Sequence, residues 1–218
     1  VVSLDRLTRP EQPLAAYTTA QITAVASEIG FSVSVAAVEG DYPVLILRDE
    51  NRASFFVQPM VCTGTDAQDS CSGLLLVVGL RGAINYPGIS LAQVNRFNDI
   101  QFYGRGHITP GRLAVLSRLA LSDFGTTRGN LAVELFTFRA ALYSFSNYLS
   151  AVRVAAGASQ ESTAFISPGS DAQSLFVPSA SQDPADFSGE LSRLIERWEK
   201  AGLLGQTSFP SEDVKSAP

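Results

Sequence analysis

A single histidine, His107, stands at residue 107 near the end of the run QFYGRGHI. With serine abundant in the chain, it could serve a Ser-His-Asp relay, in which the imidazole takes the proton of a nucleophilic hydroxyl. No G-x-S-x-G elbow is present to hold such a serine at a strand-to-helix turn, so a strand-end residue held by hydrogen bonds is the plainer reading. One histidine and two cysteines leave metal binding to carboxylates, and no Asp-rich loop has calcium-site spacing. No metal and no cofactor are expected. Gly104-Arg105-Gly106 offers a G-x-G without a third glycine or a following helix, which reads as a strand bulge rather than a phosphate cradle. Asp41, Asp49 and Glu50, like Asp66 and Asp69, fall among turn residues.

The polar groups that suit binding better are Asn95 and Asn98, one helical turn apart. They could hydrogen-bond the backbone of an extended peptide, or brace the loop and hairpin of their own domain. Arg96 and Arg105 are candidate anchors for an acidic group, or ordinary solvated charges. Cys62 and Cys71 flank the polar loop TGTDAQDS between two apolar runs. That placement suits a disulfide clamping a hairpin, against the alternative of two free thiols. Eight intervening residues fit neither a redox C-x-x-C nor half of a zinc site.

Composition bounds these readings. The 218 residues are 45% hydrophobic, enough for one substantial core. A net charge of -5 argues against a nucleic-acid partner. The longest apolar run, LLLVVGL, is strand-sized, so no integral membrane span is expected. The chain begins at Val1 without methionine. Together with the cysteine pair, this sets the expectation of an exported, periplasmic protein whose signal peptide has been removed.

The elements that must position these residues follow from periodicity. Residues 1–17 read as an irregular arm. A helix follows, capped by Thr18 or Thr19, with Ile22, Val25, Ala26 and Ile29 on one face and Gly30 closing it. Residues 31–38, 42–49, 53–62 and 72–81 read as four antiparallel strands in a meander, with Pro59 at an edge or bulge. Ser90 caps a second helix carrying Leu91, Val94 and Phe97, with Ile100 one turn on. A hairpin comes next, turning at Pro110–Gly111. A long helix follows, capped by Thr127 or Asn130, in which Leu131, Leu135, Phe138, Leu142, Phe145 and Leu149 recur at helical spacing. Val133, Phe136, Ala140 and Tyr143 widen that stripe beyond what one sheet contact needs. The surplus face is read as covered by the tail or a second subunit, or as sandwiched within the domain. Residues 155–186 form a Ser/Pro/Ala-rich linker or strap. Residues 187–204 form an amphipathic helix bearing Phe187, Leu191, Leu194, Ile195 and Trp198, and residues 205–218 are tail. The fold class expected is α+β: an antiparallel sheet, meander plus hairpin, flanked by helices.

VNRFND (94–99), then FYGRGHI, LAVLSRLALSD and GNLAVELFTFRAALYSF occur in that order. This succession resembles the YbjN family of bacterial proteins, whose fold is type III secretion chaperone-like, and the resemblance covers roughly residues 18–154. It implies a non-enzymatic protein with a regulatory or stress-related role. The wider fold binds extended segments of client proteins, usually as a dimer, and members with an exported hairpin cysteine pair are expected. The expectation is therefore a protein-binding or adaptor module of the cell envelope. Asn95, Arg96, Asn98, Arg105, Phe138 and Phe145 are its candidate contact residues, and its partner is a protein or a second copy of itself. The other readings are a hydrolase using a serine with His107, and a structural envelope protein associating through its C-terminal helix.

Overall fold

Thr18 caps the first helix, α1 (Thr19–Ile29), by accepting from the Gln21 N–H, and Gly30 ends it in the left-handed region at φ 109°. No side chain fits at Gly30, because a Cβ there would lie 2.8 Å from the Val1 carbonyl oxygen. The computed structural model describes residues 1–36, 42–63, 70–80, 89–108, 114–122, 125–158, 193–194 and 196–198. Asp41, the turn expected at Pro110–Gly111, Asp66, Asp69, the linker or strap from residue 159 onward, Phe187, Leu191, Ile195 and the tail lie outside them.

Eight strands among the described residues precede α3, six of them in one sheet. They are β2 (Ser32–Ala36), β3 (Val44–Arg48), β4 (Ser54–Thr63), β5 (Ser70–Leu80), β6 (Arg105–Ile108) and β7 (Ala114–Leu121), with β1 (Pro13–Leu14) and β8 (Thr126–Thr127) forming a separate pair. The six-stranded sheet has the order β2-β3-β4-β5-β7-β6, and every pairing is antiparallel. The expected meander and hairpin are thus one sheet, joined where β7 pairs with β5. Pro59 lies beyond Leu45–Val57, the last β3–β4 pair, so its missing N–H falls where β3 no longer pairs. Ser90 caps α2 (Leu91–Ile100), and Thr127 accepts from the Asn130 N–H at the start of α3 (Arg128–Ala158).

Both faces of the sheet are buried. On one lie Leu45, Leu47, Phe55, Val57, Leu74 and Leu76, beneath the apolar stripes of α1 and α3. Phe55 meets Phe31 and Phe138 edge-on, at ring separations of 5.5 and 5.2 Å. The surplus apolar breadth of α3 is only partly met inside the chain: Phe136 and Tyr143 pack against the core, while Val133 and Ala140 are exposed. Within the main stripe Phe145 reaches Phe97 of α2 at 4.8 Å, and Tyr148 donates to the Gln93 carbonyl. On α2, only Val94 and Phe97 of the expected face are buried, while Leu91 and Ile100 are exposed. The opposite sheet face carries Phe56, Leu75 and Val77, with the Trp198 ring tilted against Phe56 at 5.5 Å. Burial on two sides explains why β5 reads as an unbroken apolar run instead of alternating. Leu194 and Trp198 are buried in their own chain, so the described part of the C-terminal helix packs in cis.

The arm does not run irregularly as expected. A 3-10 turn at Leu4–Arg6 and strand β1 tie it down, and Val2, Leu14 and Tyr17 are buried. Its backbone bonds explain why: Ser3 N–H donates to the Ile29 carbonyl, and Gly129 N–H to the Pro10 carbonyl. Tyr17 exchanges two backbone bonds with Cys71, taking over the edge of β5 where β7 has ended.

Cys62 and Cys71 are bonded, and they sit directly opposite each other in the β4–β5 ladder. Val61 just before them adopts φ 54°, a costly value for a β-branched residue, and the ladder skips it. Replacing both cysteines by serine is expected to lower the unfolding free energy by about 2–3 kcal/mol, as closing a short loop gives in the chain-entropy model. Urea denaturation of the oxidised protein and the double variant measures this; equal stabilities would show that the clamp adds nothing.

Candidate functional site

Strand β7 is paired along its whole length by β5, but β6 covers only Ala114 to Ser117 on the other side. From Arg118 to Leu121, no strand among the described residues pairs with that outer edge. The reason is local. Gly104, at φ 101°, turns the chain off the edge, and the preceding Tyr103 crosses above β7 to reach α3. A groove of about 340 Å3 remains between the open edge and the first turns of α3. Its walls are Tyr17, Arg118, Leu119, Ala120, Leu121, Gly125, Thr126, Asn130, Val133 and Glu134.

The floor is polar and fully paired. Arg118 and Glu134 form a bidentate ion pair, Nε to Oε2 at 2.8 Å and Nη2 to Oε1 at 3.1 Å. The Arg118 guanidinium lies 4.0 Å over the Tyr103 ring, whose hydroxyl meets both the Glu134 carbonyl and its carboxylate. Burial pushes the Tyr103 hydroxyl pKa strongly up, and the Glu134 carboxylate adds to the rise. For Glu134, burial acts to raise the carboxyl, but the bonds from Arg118 and Tyr103 outweigh it, and the group is held below the ordinary range. A carboxylate so engaged braces the groove; it has little left with which to take a proton from a substrate. Burial also raises Tyr17, with hydrogen bonds to Thr126 and Ser122 acting the other way. The rim carries exposed apolar side chains: Leu121 is 57% and Val133 48% exposed.

The expected contact residues do not assemble into one surface. Asn95 and Arg96 are exposed on α2, and Arg105 is exposed on β6. Asn98 is engaged within the domain: its Nδ2 donates to the Gly106 carbonyl at 2.8 Å and its Oδ1 accepts from the Gly106 N–H at 2.7 Å. Phe138 and Phe145 are corrected outright. Both are fully buried, Phe138 against Phe55 and Phe145 against Phe97, so they hold the core and cannot face a partner. Gly106 is needed because a Cβ there would stand 3.0 Å from both Phe145 and Val94. Gly104-Arg105-Gly106 therefore opens a regular strand and is not a bulge, the register through Arg105–Ser117 being unbroken.

His107 pairs with Val115, on the sheet face opposite the groove. Burial lowers its pKa, and its Nε2 finds no partner among the described residues. Among those residues no group of three His, Cys, Asp or Glu side chains is placed to hold a metal, and no helix is long and apolar enough to cross a membrane.

Tyr17, Tyr103, Arg118 and Glu134 escaped the sequence reading, though two left a signal. Arg118 shares the buried side of β7 with Leu116 and Ala120, and Glu134 adjoins the apolar stripe of α3. Charges in such places require partners.

Fold and groove define an α+β protein with an antiparallel sheet between helices, a cross-strand disulfide, and an open strand edge beside its longest helix. No family model, no curated protein and no solved structure matches the chain.

Proposed function

We propose that this is a non-catalytic protein-binding module of YbjN type, exported to the bacterial envelope, which receives an extended segment of a partner along the open edge of β7. The carrying observation is that edge, Arg118 to Leu121, lying free of any described strand beside a groove whose rim carries exposed apolar side chains. An incoming strand would continue the line of β6. Its backbone would pair with β7, and its side chains, alternating between the two sheet faces, would meet Val133 on the side of α3 and Leu121 on the other. The Arg118–Glu134 pair neutralises itself, so apolar spacing, more than charge, would select the partner. The disulfide supports an oxidising compartment. Association through the C-terminal helix is less favoured, because Leu194 and Trp198 are already buried in this chain.

A displayed library of extended peptides, selected against the oxidised protein, tests the reading. Enriched sequences are expected to place apolar residues where they meet Val133 and Leu121, and to slow amide exchange at residues 118–121. Their affinity for a Leu121→Glu, Val133→Glu variant is expected to fall at least about tenfold, or about 1.4 kcal/mol. Absence of enrichment, or equal binding to the variant, would discard the groove as the binding site.

A further inference from the structure

The two lateral edges of the sheet are built differently. At one, β6 is four residues long, carries Arg105 and His107, and has α2 packed against it. At the other, β2 presents Ser32-Val33-Ser34-Val35-Ala36 in unbroken register with β3, and nothing among the described residues pairs with its outer side. Natural edge strands are protected by charges, prolines or bulges. β2 has none of these. Ser32 and Ser34 are exposed, and Val35 is 57% exposed. Its pattern of small polar and β-branched residues also reads almost alike in both directions from Ser34.

We propose that β2 is the pairing surface for a second copy of this chain. Two β2 strands would run antiparallel about a two-fold axis through Ser34, joining two sheets into one. A two-fold interface must be self-complementary, and this register is. Ser34 faces Ser34 of the second copy, Val33 faces Val35, and Ser32 faces Ala36. Val33 and Val35 pair with Leu47 and Leu45, so they lie on the sheet face that bears α1 and α3. The valines of both copies would extend that apolar face across the junction, as β-branched cross-strand pairs. Arg48, the nearest charge in the neighbouring strand, pairs with Ser32 and so lies away from the axis. The proposal does not depend on the β7 groove, and either can fail alone.

Light-scattering mass over about 1–100 µM, with two substitutions at the axis, tests it. The native cysteines are bonded to each other, so an introduced thiol stands alone. Residues facing each other across an antiparallel pair have Cα atoms about 4.5–5.5 Å apart, within disulfide reach. Ser34→Cys is expected to give a covalent dimer under mild oxidation, whereas Ser32→Cys, facing Ala36 of the other copy, is not. Ser34→Lys sets like charges against each other and is expected to halve the mass with the far-UV spectrum unchanged. A native mass of one chain at the highest concentration, a dimer indifferent to Ser34→Lys, or equal cross-linking at Ser32 and Ser34 would each overturn the proposal.

Discussion

Replacing Trp198 by alanine is expected to lower the unfolding free energy by about 3–5 kcal/mol, the range for removing a large buried aromatic side chain. Trp198 is completely buried and packs at a tilt against Phe56, on the sheet face that α1 and α3 leave uncovered. The substitution removes the ring and opens a cavity over a strand that cannot collapse, because both its neighbours are paired. Trp198 is the only tryptophan, so the native protein reports its own docking by fluorescence, while the variant is followed by circular dichroism in urea. Trp198→Phe is expected to cost much less. It keeps most of the buried area and removes an indole N–H that has no partner among the described residues. A loss below about 1 kcal/mol in the alanine variant would mean that the C-terminal helix does not cover this face.

The second large effect is expected at Asp49, whose side chain is 1% exposed and lies in the turn between β3 and β4. One carboxylate oxygen accepts the Asn51 and Ala53 N–H groups and so shapes the turn. The other accepts Arg139 Nε at 2.8 Å and the Tyr143 hydroxyl at 2.6 Å, fastening the turn to α3. Glu50 extends the fastening, receiving Arg139 Nη2 at 3.0 Å and the Val2 N–H at 3.1 Å. Asp49→Ala strands four donors at once, and is expected to cost about 3–5 kcal/mol, as when one partner of a buried pair is removed. Asp49→Asn keeps acceptors for the turn and is expected to cost less. A double-mutant cycle with Arg139→Met separates the ion pair from the turn. If Asp49→Ala cost no more than a surface substitution, the turn would not be held by this network.

Much of the local architecture was legible. Thr18 and Gly30 bracket α1, Ser90 opens α2, and the four runs between residues 31 and 81 form the expected meander, because caps and periods act over a few residues. The disulfide was legible as one of two alternatives, since the cysteines flank a short loop. The groove was not. It arises because β6 is shorter than β7 and Tyr103 leaves the edge, which depends on strand lengths and a glycine φ that no periodicity encodes. Its ion pair joins residues 16 positions apart on a strand and a helix.

The amino-acid sequence by itself determined where the three long helices and the strands of the large sheet fall and, along α1 and the main stripe of α3, which side faces inward, since spacing decides the side on which a residue falls. On α2 the same spacing set Leu91 and Ile100 on the inner face, and both are exposed. Only the tertiary structure decided what each inward face meets. Phe138 and Phe145 belong to a stripe that could cover a partner or a core equally well, and the positions of Phe55 and Phe97 made them core. The arm carries no period, yet it is fixed by backbone bonds to Ile29 and Cys71 and by the close fit at Gly30, all set by the approach of distant segments. Apolar burial has no direction of its own. Which surfaces are joined is chosen by strand order and by where the chain turns, and those are properties of the whole fold.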